Sequence, residues 1–368
     1  MYIVVTFSLL CIFFTYLESK KQVKHGMKCG FILTTFLLAV HYDYGNDYMS
    51  YYNISQEIYK IPFDFEKIMN GDIYREPGWV ILNYLFRPIG GFFMLVAVLS
   101  ICESILIYKY IRRYVDKKWW VLAVCIYLFT VSIFLYSFSM LRQYLVMSVF
   151  FWLFPYIKER KWWFAIPVLF LSSFIHSSAA ILIPFAFAGF IPLNNTRIIA
   201  ITMSIIFALL LLGDQFLNTI FIKFMAIEQF SDYAETYDNG NVTSSRGIGF
   251  IINLIPFILS MVFLIKNKNN NRQNDQKLLV IISNIYYLIM PFATIILLVS
   301  RIGIYFSMFQ IISLPPVFQY IYQRNNRFAI FCIFIFMALL IYSYILFFNV
   351  GVFAENYSSE FKTIFNQL

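Results

Sequence analysis

Charge is scarce in this sequence. Only 13% of its 368 residues are Asp, Glu, Lys or Arg, whereas 61% are hydrophobic. A chain so poor in charge cannot clothe a water-soluble globule, and no polar stretch between its apolar runs is long enough for a separate soluble domain. The five cysteines, Cys11, Cys29, Cys102, Cys125 and Cys332, all fall in apolar runs, with no CxxC or Cys/His ligand spacing. That excludes a disulfide framework, a zinc site and an iron–sulfur site. No basic segment precedes the first apolar run and no small-residue cleavage site follows it, so residues Met1 to Leu17 read as a span and not as a removed signal peptide. An internal repeat is also lacking.

What the chain does have is apolar length. A mean hydropathy of +0.72, with 43 Phe and 27 Tyr, predicts an all-α polytopic integral membrane protein. The runs 1–17, 29–40, 91–108, 119–135, 140–156, 162–175, 179–191, 198–216, 247–264, 278–299, 303–322 and 328–348 give about twelve spans. The range is ten to twelve, because the 162–191 pair is short enough to be a re-entrant hairpin. Residues 1–368 read as one transmembrane domain with two sizeable loops, 42–78 and 217–246. Within the first, Asp64 to Lys67 reads as the start of a short interfacial helix.

The formal charge of +9 sits in short loops between the apolar runs, so it reports topology and not a nucleic-acid partner. Assigning the 18–28, 109–118, 158–161, 192–197, 265–277 and 323–327 loops to the cytoplasm places 19 Lys and Arg there against 4 Asp and Glu; the other face carries 9 and 14. Both termini, the 42–78 and 217–246 loops, Arg142, His176 and Arg301 are then expected outside.

The outer face carries Tyr42, Tyr44, Tyr48, Tyr51, Tyr52, Tyr59, Tyr74 and Trp79 among Asp43, Asp47, Asp72 and Glu76. Such a mixture suits stacking on sugar rings with carboxylates on hydroxyls; an interfacial aromatic belt is the plainer reading. Arg75, Arg87, Arg142, Arg246 and Arg301 stand on a face that the positive-inside rule depletes of arginine. A guanidinium makes forked contacts to phosphate, so several facing one cavity would form a pyrophosphate site. Arg142 and Arg301 are favoured, since they sit at span boundaries with few carboxylates nearby in sequence. Arg142 and His176 each interrupt long apolar sequence. Ionisable groups at membrane depth cost on the order of 2.5–3.5 kcal/mol at a helix centre and less near its end, which points to function. The alternatives are an Arg142 that snorkels to headgroups and a His176 that satisfies a turn.

Gly45-Asn46-Asp47-Tyr48 with Tyr51 and Tyr52, then Glu76-Pro77-Gly78 before Asn83-Tyr84-Leu85-Phe86, Leu141-Arg142-Gln143, and Ile175-His176-Ser177-Ser178-Ala179 occur in that order. This set resembles the EpsG-like family of bacterial polysaccharide polymerases, related in role to the Wzy-type O-antigen polymerases. The resemblance covers residues 29–190 and extends loosely to Ser300-Arg301-Ile302-Gly303-Ile304-Tyr305-Phe306. One departure is His41, which stands where these proteins commonly carry an Arg four residues before the Gly of the first motif.

The resemblance implies a multi-span glycosyltransferase of the bacterial inner membrane. It would join oligosaccharide repeat units carried on polyprenyl pyrophosphate, donor and acceptor alike, at the outer leaflet. Arg142, Gln143, Arg301, Arg75, Arg246, His41 and Tyr48 would then contact substrate. Pyrophosphate departure needs stabilised negative charge, which arginines supply without a metal. No DxD-like metal-binding pair stands in the outer loops, Asp43 to Asp47 being too spread, and no cofactor is implied. His176 would take the proton of the acceptor hydroxyl, with Asp47 and Glu76 next in line. Further partners would be the bilayer, chain-length regulators and a flippase. A lipid-linked oligosaccharide flippase is the competing reading, but it predicts polar groups along the spans and two related halves. Membrane O-acyl transfer would use His176 and leaves the arginines unexplained.

Overall fold

The structure, a computed structural model, describes residues 2–212, 248–267, 271–290, 297–349, 356–357 and 361–366. The expected outer loop 217–246, with Arg246, lies outside the described residues.

Helix formation follows the apolar runs. The helices are α1 (Tyr2–Ser19), α2 (Gly26–Val40), α3 (Tyr48–Lys60), α4 (Phe65–Asn70), α5 (Pro77–Phe86), α6 (Gly91–Tyr114), α7 (Trp120–Phe129) and α8 (Leu141–Trp152). They continue with α9 (Phe154–Lys158), α10 (Trp162–Ser173), α11 (Thr196–Leu212), α12 (Ile248–Lys266), α13 (Asn271–Ile289), α14 (Leu297–Ile304), α15 (Gln310–Tyr322) and α16 (Asn326–Asn349). Two short strands, β1 (His41–Tyr42) and β2 (Lys362–Thr363), pair antiparallel with His41 opposite Thr363.

Among the described residues, four helical segments are long and apolar enough to cross a membrane: Tyr2–Ser19, Gly91–Tyr114, Arg301–Tyr322, which runs from α14 through a short 3₁₀ turn into α15, and Asn326–Asn349. A fifth results if Ser177–Phe190 and Leu193–Leu209, bent by 83°, form one broken span. Gly26–Val40, Trp162–Ser173 and Ile252–Lys266 are shorter apolar helices. Arg301–Tyr322 is 89% buried and forms the centre of the bundle, whereas Asn326–Asn349 is 22% buried and lies at its margin.

Three segments depart from the expectation read off the sequence. The 42–78 stretch is not a loop: it folds as α3 and α4 and leads into α5. Asp64 does start α4, accepting from the Lys67 amide at 3.2 Å, and Gly71 ends it in the left-handed region at φ +81°. The 119–135 run is helical only to Phe129; the buried stretch 130–139 then turns repeatedly. Residues 177–190 form a 3₁₀ helix packed back on α10, which makes the 162–191 pair a hairpin.

Candidate functional site

Two glycines bring the site together by letting backbones touch. Gly45 lies at φ +97°, and a Cβ there would stand 2.4 Å from Ser139 Cβ. Its amide donates to the Asn356 carbonyl at 3.1 Å, so the Gly45–Asp47 turn is pinned between the 136–139 turn and the C-terminal segment. Gly78 stands at the start of α5, after Pro77 has set the helical φ without wasting a donor. Its amide donates to the Phe174 carbonyl at 2.8 Å, and a Cβ there would meet the Phe174 carbonyl carbon at 2.8 Å. Glu76 is thereby delivered to the turn that carries His176.

Arg142 enters from the first turn of α8. Its guanidinium lies between the rings of Tyr51 and Tyr74, 4.8 and 5.2 Å from their centroids. Nη1 donates to the Tyr74 hydroxyl at 2.7 Å and to Glu76 Oε2. Glu76 is 1% exposed. Its other oxygen accepts from the Ser177 amide at 3.0 Å and is 3.1 Å from His176 Nδ1. A carboxylate on Nδ1 favours the tautomer that leaves the lone pair on Nε2. Burial, then the guanidiniums of Arg142, Arg301 and Arg75, push the His176 imidazole down to about 3. Glu76 pulls the other way, but its charge is already shared with Arg142, and His176 is neutral at physiological pH.

Asp47 is half-buried beside the same group. Burial raises its carboxyl, while Arg301 and Arg142 oppose the rise. Gln143 Nε2 donates to the Arg301 carbonyl at 2.8 Å, which ties α14 to α8. Ser178 Oγ and the Tyr305 hydroxyl share a hydrogen bond of 2.7 Å, joining the His176 turn to the segment after α14. Arg142 Nε is buried and has no hydrogen-bond partner among the described residues. Arg75 is exposed at the rim.

The fold thus gathers Asp47, Arg75, Glu76, Arg142, Gln143, His176 and Arg301 at one end of the bundle. It places two expected substrate contacts elsewhere. His41 is fully buried, its ring nitrogens 2.6 and 2.8 Å from the Leu38 and Phe138 carbonyls, and burial lowers its imidazole to about 4. Both ring nitrogens are taken by backbone carbonyls, so His41 braces the backbone and presents nothing to a phosphate. Tyr48 is also fully buried, edge-on to His41 and Phe92, with its hydroxyl on the His41 carbonyl at 3.1 Å. Tyr44 and Trp79 are likewise core residues, so the aromatic cluster is mainly neither a sugar platform nor an interfacial belt.

Sequence reasoning missed the use of Tyr51 and Tyr74 as a sandwich for Arg142, and the C-terminal clasp. There, Lys362 pairs with Asp43 at 2.9 Å and buried Tyr357 meets Ser139 Oγ at 2.7 Å. Nothing in the spacing of these residues signals either contact.

The sequence pattern of the EpsG family matches residues 27–359. The chain belongs to the EpsG family. Membership makes it a membrane protein of polysaccharide biosynthesis, and the matched range holds every residue of the cluster from Asp47 to Tyr305, as well as Tyr357. Comparison with curated proteins and with solved structures gives no match.

Proposed function

We propose that this EpsG-family protein is a polysaccharide polymerase, a glycosyltransferase that joins oligosaccharide repeat units carried on polyprenyl pyrophosphate. The observation that carries the proposal is the buried relay Arg142–Glu76–His176, set beside Arg301 and Arg75. In the reaction the anomeric C–O bond to the lipid pyrophosphate breaks and its electron pair leaves with the pyrophosphate. The acceptor hydroxyl oxygen forms the new glycosidic bond, and its proton passes to His176 Nε2. Glu76 has both oxygens engaged, so it acts as a positioning residue: it holds the imidazole tautomer and neutralises imidazolium as it forms. Arg301, Arg75 and the uncommitted Nε of Arg142 stabilise the leaving group, which lets the chemistry proceed without a metal ion. Gln143 sets Arg301 through its backbone.

The proposal includes orientation. About twelve crossings in the bacterial inner membrane, both termini outside, would open the site to the periplasmic face. Two clusters support it. Asp47, Glu76, Arg142, His176 and Arg301 mark one end of the bundle. Arg112, Arg113, Lys117, Lys158 and Asp275, all from loops assigned to the cytoplasm, line a cavity of about 610 Å³ at the other end.

The test is purified protein in lipid nanodiscs, supplied with lipid-linked repeat units, with and without a chelator. Lengthened chains are expected in both. Loss on chelation would overturn metal-free transfer, and units that cross a vesicle bilayer without lengthening would favour the flippase.

A further inference from the structure

A second, separate concavity of about 190 Å³ lies between α7, α12, α13, α15 and α16. Its lining includes Thr130, Ser132, Tyr136, Asn253, Tyr287 and Gln310, and no Asp, Glu, Lys, Arg or His. Two polar atoms there, Thr130 Oγ1 and Tyr287 OH, are buried without a hydrogen-bond partner among the described residues, while Ser132 and Gln310 share the hydroxyl of Tyr286, which also lines the cavity. Buried hydroxyls and amides are rarely left unmade, because each forfeits its hydrogen bond to water. Two at one cavity, facing a third hydroxyl on Tyr286, indicate a missing polar occupant.

Backbone and position narrow its identity. The helix that should have continued through this depth stops at Phe129, and the turn that follows presents Thr130 and Ser132 to the cavity. Irregular backbone at membrane depth is tolerated where it is buried in protein or lines a polar cavity. Tyr136, on the same turn, lines the cavity and lies within electrostatic reach of Asp47, which in turn feels Arg301 and Arg142. The same turn carries Ser139, against which Gly45 packs two residues before Asp47, so the cavity lies next to the segment that brings Asp47 to the site. Hydroxyls, amides and tyrosine rings without ionised groups suit a neutral polyol with apolar ring faces. The volume equals that of about six waters at about 30 Å³ each, the scale of one sugar ring and not of an oligosaccharide.

We infer that this cavity is a subsite for a single neutral sugar residue of the acceptor repeat unit. The inference rests on the polymerase reading for the word acceptor alone; the sugar-binding cavity stands on its own lining. Seated there, one ring would fix the depth at which the adjoining hydroxyl meets His176.

The probe is the free oligosaccharide repeat unit, released from its lipid by mild acid, with purified protein in detergent. Saturation-transfer NMR of the wild type is expected to mark one sugar residue, and the signal should fall about fivefold or more in Gln310→Leu and in Thr130→Val/Ser132→Ala. With lipid-linked substrates the acceptor KM should rise about tenfold while kcat stays within about twofold, the pattern of lost uniform binding. The thermal midpoint of Thr130→Val should not fall, because that replacement removes an unpaired buried group, and it serves alone should the others, which also lose a contact to Tyr286, misfold. Unchanged KM and unchanged transfer in the variants would mean that water alone fills the cavity, and would overturn the subsite while leaving the polymerase intact. No transfer to the wild type would also overturn it. Transfer to the wild type without chain lengthening would instead remove the polymerase reading and keep the sugar site.

Discussion

Glu76 and His176 meet at 3.1 Å across 100 residues of chain, and the same carboxylate holds Arg142. One buried anion thus sets both the imidazole and the guanidinium. Glu76→Gln keeps the volume and removes the charge, so it should lower polymerisation on the order of 100-fold or more. Glu76→Ala should in addition lower protein abundance, since it leaves a cavity and strips the Ser177 amide and the Arg142 guanidinium of the acceptor oxygen that Gln still offers. Glycan length on gels and immunoblots of membranes separate the two; long chains from the Gln variant would remove the charge from the mechanism.

His176 carries a pH prediction. Its folded value of about 3 lies below the unfolded value of about 6.5, so the unfolded chain takes up a proton that the fold refuses. Stability contributed by this group is complete above pH ~6.5 and is lost as pH falls toward 3; His41, lowered to about 4, has the same sign. Thermal midpoints at pH 7.5 and 5 should differ less in His176→Gln than in the wild type. The same variant should lose on the order of 10²–10⁴-fold in rate, and activity of the wild type should show no acid limb near 6.5.

Arg142→Lys should rescue poorly. A lysine keeps the charge but cannot lie flat between Tyr51 and Tyr74 while reaching Glu76 and Tyr74 together. Chain length close to wild type in this variant would reduce Arg142 to a point charge.

Gly78→Ala places a Cβ 2.8 Å from the Phe174 carbonyl carbon, backbone against backbone. The start of α5 must move away, and Glu76 with it. Polymerisation should fall more than protein abundance does, and activity equal to wild type would show that the Glu76–His176 contact tolerates the shift.

Orientation is checked by cysteine labelling in a background without native cysteines. An impermeant thiol reagent should modify a cysteine at exposed Asn53 in outer-membrane-permeabilised cells and spare one at exposed Lys118. The reverse pattern would invert the bundle.

The helical membrane class was legible in the chain itself, because apolar length and scarce charge act locally, and each span satisfies its own backbone. Loop charge predicted two unlike ends for the same reason, and Arg142 and His176 stood out because isolated ionisable groups are costly in apolar surroundings. Which residues meet was a different matter. Glu76, Arg142 and His176 are joined only by tertiary packing through Gly78, and spacing carries no record of that approach. His41 and Tyr48 share sequence surroundings with Asp47, yet packing against Phe138 and Phe92 turns them into the core while Asp47 stays beside the arginines. The end of α7 at Phe129 was equally hidden, since its apolar run continues without a break in composition. Only the surrounding helices, by enclosing the turn that follows, allow its polar groups to leave the helix and face a cavity.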